Sequence, residues 1–269
     1  IDMIKNELGI GCDGAVFAVD NFEEAATMGE TSHHPNHSMA FKFKDDETTS
    51  VVRSIQWQVG TSGELTPVAI FDPVELEGTT VTNSSVHNLK VFKELGFGIG
   101  DTVTVFKANQ IIPQIKEALT HGGDKSIPVI CPSCGSELVI ENNSKDELQR
   151  IVCQNYDCPA QFQALCERFV RKDYMNIDGL SGSGIKELID AGLIKELVDI
   201  LRLEGLRVRR VDYFKGKRGI MLMESLRKAK ENTKQDAFLA AWGIPTIGRS
   251  TSKQLIDACS GDILKFIER

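Results

Sequence analysis

The chain has 269 residues, 41% of them hydrophobic, and its 31 Lys and Arg against 38 Asp and Glu give a formal net charge of -7. At about 150 residues per domain this length predicts roughly two domains, or more if they are small, and the composition excludes collagen-like, disordered and coiled-coil classes. The sequence has no apolar run of about 18 residues and no basic-then-apolar start, so neither a transmembrane span nor a secretion signal is predicted.

The predicted elements fall into four consecutive segments. Residues 1–47 read as two short strands, at 14–19 and 39–44, with a short helix at 22–28 and a polar loop at 31–38 between them. Residues 48–120 contain short strands at 51–59, 66–71, 74–76, 79–81 and 102–106, a spacing that favours a small barrel or sandwich. Residues 121–160 are rich in turns, and residues 161–269 have helical periodicity at 184–193, 220–230 and 250–259.

The charges are distributed unevenly along these segments. Residues 1–50 contain ten acids and three bases, which accounts for the whole negative excess of the chain. Residues 204–230 contain three acids and nine bases, namely Arg207, Arg209, Arg210, Lys215, Lys217, Arg218, Arg227, Lys228 and Lys230. Because charges act over a Debye length of about 8–10 Å, such a stretch can bind a polyanion even in an acidic protein. The alternative is a solvated helix face, which is the commoner origin of a charge run.

Four of the seven cysteines form two closely spaced pairs. Cys131, Cys134, Cys153 and Cys158 follow the pattern C-x2-C-x18-C-x4-C, so a hairpin is expected between two metal-binding turns. Four thiolates without an open position predict a structural zinc site rather than a catalytic one. The alternatives are buried free cysteines and an iron–sulfur cluster. Cys12, Cys166 and Cys259 lie outside the pattern and are expected to be small buried apolar residues.

Three glycine-containing turns precede predicted helices in the C-terminal segment. They occupy residues 177–185, 213–220 and 243–250, and we refer to them as the first, second and third glycine turns. Glycine permits close approach of the backbone to a phosphate, and a helix N-terminus favours an anion. The turns resemble helix-hairpin-helix units, and their candidate DNA-binding residues are Gly182, Gly184, Gly216, Lys217, Arg218, Gly219, Gly248 and Arg249. The alternative is an ordinary helical bundle in which glycines only cap helices.

Further motifs, in this order, resemble the bacterial-type NAD-dependent DNA ligases. Residues 12–17 (Cys-Asp-Gly-Ala-Val-Phe) and 40–43 (Ala-Phe-Lys-Phe) resemble that family's motifs IV and V. Residues 58–69 resemble its QVGRTG-x-[LI]-TPVA signature, and residues 85–88, 99–101 and 111–113 continue in family order. The resemblance extends from about residue 11 to the C-terminus.

The resemblance implies an α+β multidomain fold. Residues 1–47 would be the C-terminal part of a nucleotidyltransferase (adenylation) domain, 48–120 an OB-fold β-barrel, 121–160 a four-cysteine zinc finger and 161–269 an incomplete helix-hairpin-helix domain without the BRCT domain. It also implies a structural Zn²⁺, NAD and Mg²⁺ for the complete ligase, and nicked double-stranded DNA as the partner. The protein would act in the cytoplasm of a bacterial or phage-infected cell, in DNA replication and repair.

The resemblance assigns roles to individual residues. Asp13 would lie at the nucleotide pocket and Lys42 would contact the adenylate phosphate, although in isolation Asp13 reads as a turn residue and Lys42 as the exposed side of a strand. His87 and Asn88 would contact the DNA backbone from the barrel, or else cap a turn.

The chain also departs from the family pattern. It contains no Lys-x-Asp-Gly motif, so the nucleophilic lysine is absent from it; Ala18 stands where motif IV ends in lysine, Lys44 where proline is usual, and residues 60–63 lack the signature's arginine. These departures leave two hypotheses for the chain as a ligase component. It is either the C-terminal portion of a longer ligase or the second subunit of a split one, and residues 1–47 are then expected to pair with the missing segment or with a separate adenylation subunit.

The sequence is also compatible with two other functions. A non-catalytic DNA-binding protein or clamp derived from a ligase is favoured by the missing lysines and disfavoured by the retained Asp13 and Lys42. A zinc-ribbon adaptor between proteins would explain the cysteines but not the glycine turns.

Overall fold

The computed structural model describes residues 14–31, 34–42, 47–76, 78–108, 111–142 and 149–263. The chain divides into two compact units. The first comprises residues 1–56, 68–87 and 91–126, and the second comprises residues 57–67, 88–90 and 127–269. Within the described ranges no helix is both long enough and apolar enough to cross a membrane.

The N-terminal segment contains the two predicted strands and the predicted helix. β1 (Gly14–Ala18) pairs antiparallel with β2 (Ser38–Lys42), from Gly14 opposite Lys42 to Ala18 opposite Ser38. Between them lies α1 (Phe22–Thr27), whose N-cap Asn21 accepts a hydrogen bond from the Glu23 N–H at 2.9 Å. Residues 43–44 of the predicted second strand lie outside the described residues.

Five antiparallel strands form the next sheet. β3 (Glu47–Val59), β4 (Leu65–Leu76), β5 (Thr79–Ser85), β6 (Thr102–Ala108) and β7 (Ile112–Ala118) lie in the order β5-β4-β3-β6-β7. The Ser84 hydroxyl of β5 donates to the Pro113 carbonyl of β7 at 3.0 Å, which links the two edges of the sheet. The inward side chains are fully or nearly fully buried, among them Val52, Ala69, Phe71, Val103 and Val105. This is the partly open five-stranded barrel of an OB-fold, so the barrel is confirmed and the sandwich was wrong.

Two elements of this barrel were missed by periodicity. α2 (Leu89–Leu95) has only seven residues, and its buried Leu89 and Phe92 give too short a pattern to identify a helix. β7 was missed because Pro113 and mixed polar residues interrupt its alternation. The strands expected at 66–71 and 74–76 are one strand, whose register with β5 shifts between Ile70 and Val74.

The second unit contains a two-stranded hairpin, β8 (Leu138–Asn142) and β9 (Gln149–Cys153). This confirms the hairpin expected between the two cysteine pairs. The tip of the β3–β4 hairpin, residues 57–67, packs against β9. Glu64 forms an isolated antiparallel β-bridge with Val152, and the Cys153 N–H donates to the Gly63 carbonyl at 2.9 Å.

The remainder of the second unit is helical. Its helices are α3 (Pro159–Val170), α4 (Gly182–Asp190), α5 (Gly205–Val208), α6 (Lys217–Asn232), α7 (Gln235–Ala241) and α8 (Arg249–Ala258), with 3₁₀ turns at Leu197–Arg202 and Asp212–Phe214. They enclose one apolar core that includes Phe169, Ile185, Phe214 and Leu222. Cys166 belongs to this core and Cys259 is also buried, as expected, whereas Cys12 lies outside the described residues.

Candidate metal centre and nucleic-acid interface

The four predicted cysteine ligands converge at one point. The Sγ atoms of Cys131, Cys134, Cys153 and Cys158 all lie within 4.8 Å of one another. The Cys131–Cys158 pair is separated by 3.9 Å and the Cys134–Cys153 pair by 3.5 Å. A tetrahedral zinc ion with Zn–S bonds of about 2.3 Å requires sulfur atoms about 3.8 Å apart. The donor set and its spacing therefore fit a closed tetrahedral zinc site.

The local backbone supports thiolates at this cluster. The backbone N–H groups of Ser133 and Cys134 donate hydrogen bonds to the Cys131 sulfur, and the Asn155 N–H donates one to the Cys153 sulfur. Hydrogen bonds with Ser136 lower the pKa of Cys134 to about 6. Burial in turn raises the pKa of Cys153 to about 12, so this thiol would stay protonated at neutral pH without a cation to hold the thiolate.

The first glycine turn leads directly into α4. Ser181 is the N-cap, and its hydroxyl accepts from the Gly184 N–H at 3.4 Å. A Cβ at Gly182 would lie 2.6 Å from Glu167 Oε1, so a larger residue would require the Glu167 side chain to shift. Gly184 is buried, and a Cβ there would lie 2.9 Å from the ring of Phe214. Gly184 thus packs α4 against the second glycine turn.

The second glycine turn begins α6. Gly216 is its N-cap, with a φ of 67° that favours glycine and no side-chain capping bond. Lys217 and Arg218 follow as exposed first-turn residues. Gly219 is buried, and a Cβ there would lie 2.5 Å from the Phe214 carbonyl oxygen.

A tyrosine between these turns links them. The Tyr213 hydroxyl lies 3.1 Å from the hydroxyls of both Ser181 and Ser183, and these hydrogen bonds lower the pKa of Tyr213. The Arg218 guanidinium carbon lies 5.0 Å from the centre of the Tyr213 ring, in a cation–π contact. Sequence reasoning did not assign Tyr213 a role; an aromatic residue inside a basic stretch was the available signal.

The first two turns line one open cavity of about 660 Å³. Its wall includes Gly179, Ser181 and Gly182 from the first turn and Tyr213 and Arg218 from the second. Hydroxyls, a helix start and a fixed guanidinium therefore face the same space. Such a surface suits a phosphate group.

The third glycine turn leads into α8. Gly248 is the N-cap and makes no side-chain capping bond, and Arg249 is the first helical residue. The Arg249 guanidinium lies 3.3 Å from the Asp236 carboxylate.

The remaining predicted site residues are Asp13, Lys42, His87 and Asn88. Asp13 lies outside the described residues, and Lys42 ends β2, with its backbone opposite Gly14 and its side chain outside what the structure describes. His87 and Asn88 lie between β5 and α2. The exposed His87 has a φ of 58°, and its N–H donates to the Ser85 hydroxyl at 3.3 Å.

Comparison with known proteins gives consistent similarities. The family model for the NAD-dependent DNA ligase OB-fold domain matches residues 49–126. A DNA ligase of Lachnoclostridium phytofermentans is 38% identical over 243 residues, which is 90% of this chain and 37% of the relative. A DNA ligase of Ruminiclostridium cellulolyticum is 37% identical over 90% of this chain and 36% of the relative. A DNA ligase of Petrotoga mobilis is 36% identical over 93% of this chain and 38% of the relative. The chain thus spans little more than a third of the length of the relatives that it matches.

Proposed function

We propose that this chain, which matches the NAD-dependent DNA ligase OB-fold model and is 36–38% identical to three DNA ligases, binds and encircles nicked duplex DNA and supports nick sealing, with the nucleophilic lysine outside this chain. The observation that carries the proposal is the cavity in which two glycine turns place Arg218, Tyr213 and the start of α4 together. Contacts of this kind recognise phosphate rather than base sequence.

We assign the four segments as the resemblance implies. Residues 1–47 would complete an adenylation domain, 48–120 form the barrel, 121–160 the zinc finger and 161–269 the helix-hairpin-helix domain. Support for a partner of the first segment comes from β1 and β2, where Val16, Phe17 and Met39 are 71%, 58% and 72% exposed. Apolar residues on so small a sheet favour burial against a missing N-terminal segment or a separate adenylation subunit.

Zinc would be held by the four cysteines as a structural ion. Its binding would stabilise a segment with little apolar core, as in small zinc fingers. NAD and Mg²⁺ belong to the complete ligase, where they would supply the adenylyl group and stabilise phosphoryl charge. Within this chain, Lys42 would place a fixed cation near the adenylate phosphate, Asp13 would lie beside it, and His87 and Asn88 would contact the DNA backbone from the barrel.

DNA binding is tested by titrating the chain onto nicked duplex at several salt concentrations. With six or more phosphate contacts, affinity should fall about 10³-fold or more between about 50 and 200 mM salt, whatever the base sequence. A flat salt response would contradict the proposal.

Sealing is tested by mixing the chain with a protein that carries the Lys-x-Asp-Gly motif, together with NAD, Mg²⁺ and nicked duplex. The mixture is expected to seal nicks, and Lys42→Ala to abolish sealing while keeping DNA affinity. Lys125→Ala, at an exposed position of the same unit, serves as the matched control. Full activity of Lys42→Ala would remove Lys42 from the mechanism.

The second candidate is a non-catalytic DNA-binding protein or clamp built on the ligase scaffold. It is favoured by Ala18 at the usual lysine position and by the lack of a Lys-x-Asp-Gly motif in this chain. Salt-dependent DNA binding without sealing in every mixture would favour this candidate.

A further inference from the structure

We propose that Lys172 joins the second and third glycine turns into one continuous track for successive phosphates of a nucleic-acid backbone. The inference rests on the proposed DNA binding and adds a residue that neither the motifs nor the resemblance indicated. It starts from two cavities of the second unit that share this lysine.

The loop that follows α3 contributes residues to the walls of both cavities. The first, of about 660 Å³, contains Arg171, Lys172 and Arg218 in its wall. The second, of about 390 Å³, is lined by Lys172 again and by Lys228, Lys234 and Arg249. Lys172 therefore lies between the cation of the second glycine turn, Arg218, and that of the third, Arg249.

The balance of charge along this path is positive. Glu167 and Asp178 face the first cavity and Asp173 the second. Lys228 is paired with Glu224 at 3.0 Å, and Arg249 with Asp236 at 3.3 Å. Lys172 and Lys234 are exposed, and the structure shows neither in an ion pair with another described residue. Both ammonium groups are thus available to an incoming anion.

The loop that carries Lys172 has a fixed backbone. The N–H groups of Tyr174 and Asn176 both donate to the Arg171 carbonyl at 2.9 Å, and the Ile177 N–H donates to the Val170 carbonyl at 2.9 Å. Met175 and Ile177 are buried in the helical core. Because this backbone is already ordered, binding at Lys172 would cost little loop entropy.

Two adjoining basic cavities fit a chain of phosphates better than one small anion, which would fill only one of them. Lys172→Gln tests this in titrations of the full chain with nicked duplex over a range of salt. One lost phosphate contact should lower the salt slope by about 0.9 and weaken binding about 8-fold at about 0.1 M salt. The double variant Lys172→Gln with Lys234→Gln should lower the salt slope by about 1.8 and weaken binding about 60-fold at about 0.1 M salt.

Lys195→Gln is the matched control, because Lys195 is exposed on the same unit and lines neither cavity. It should bind as the unchanged chain does, and all variants should melt at the same temperature. Unchanged affinity and slope in Lys172→Gln would overturn the track and leave the proposed DNA binding intact. Failure of the unchanged chain to bind duplex would overturn both.

Inorganic phosphate added at constant ionic strength distinguishes a backbone from a free anion. It should not compete with the duplex. Competition that disappears in Lys172→Gln would assign the cavities to a small anion and overturn the track.

Discussion

Gly219 shows how a single residue can satisfy a sequence motif and a packing requirement together. The motif marked it as a DNA-binding glycine, and the structure places it where a Cβ would lie 2.5 Å from the Phe214 carbonyl oxygen and 2.7 Å from Arg209 Cγ. Backbone atoms cannot yield as a flexible side chain can, so the collision must move α6.

Gly219→Ala is therefore expected to destabilise the chain by about 1–3 kcal/mol, measured as the free energy of unfolding in urea. Gly248→Ala is the control, because nothing lies within 4 Å of a Cβ there; its effect should stay within about 0.5 kcal/mol. Equal stabilities would show that the second turn is not tightly packed.

Cys153 links the metal centre to the hairpin tip. Its thiol belongs to the four-sulfur cluster, and its N–H and carbonyl bind the Gly63 carbonyl and the Gln161 amide, at 2.9 and 2.8 Å. A Cβ at Gly63 would lie 2.2 Å from the Cys153 carbonyl oxygen, so only glycine permits this contact.

Cys153→Ser should remove the bound metal, because three thiolates no longer close the tetrahedron. Metal analysis of the purified chain should find about one zinc per chain before the change and little after it. Cys166→Ala, which lies outside the cluster, should keep its zinc. A Cys153→Ser protein with full zinc content would exclude this ligand set.

Asp101 anchors the start of strand β6, which begins at the next residue. Its buried carboxylate accepts from the Gly98 N–H at 2.7 Å, the Gly123 N–H at 3.0 Å and the Thr120 hydroxyl at 2.9 Å. Burial alone would raise the pKa of Asp101, and the hydrogen bonds outweigh it and lower the pKa. The ionised carboxylate thus holds two loops to the barrel.

A carboxyl whose pKa is lowered by folding stabilises the protein above its unfolded pKa of about 3.9, and this stabilisation is lost as the pH falls through the folded pKa. Asp101→Asn should lower the urea midpoint at pH 7 and flatten its decline below about pH 4. Glu117→Gln, an exposed change on β7, should do neither. Identical pH profiles for Asp101→Asn and the unchanged chain would refute this role.

Each of the two units has its own apolar core. The barrel core is drawn from strands β3 to β6, and the helical core from residues between Cys166 and Ala241. Removing residues 173–269 should therefore leave a folded barrel, detected by circular dichroism and resistance to protease, and should abolish DNA binding in a mobility-shift assay. DNA affinity retained by the shortened chain would locate the interface elsewhere.

Local sequence patterns predicted several elements of this structure and its cysteine cluster. The cysteine spacing predicted the four-sulfur cluster, because two short spacings can each present two ligands. The glycine and helix patterns predicted α4, α6 and α8 to within a few residues, and strand patterns indicated the barrel. α2 and β7 were not predicted, because their hydrophobic patterns are too short or too interrupted to show a period.

Which of these residues come into contact depends on packing between helices that are distant in sequence. No local pattern places Tyr213 against Ser181, buries Gly184 and Gly219 between helices, or sets Lys172 in the wall of two cavities. These contacts join residues dozens of positions apart, and they arise because one shared apolar core fixes the helices against each other. Residue types and their spacing therefore indicate the chemistry of each segment, whereas the surface formed by the glycine turns depends on long-range packing within the helical part of the second unit.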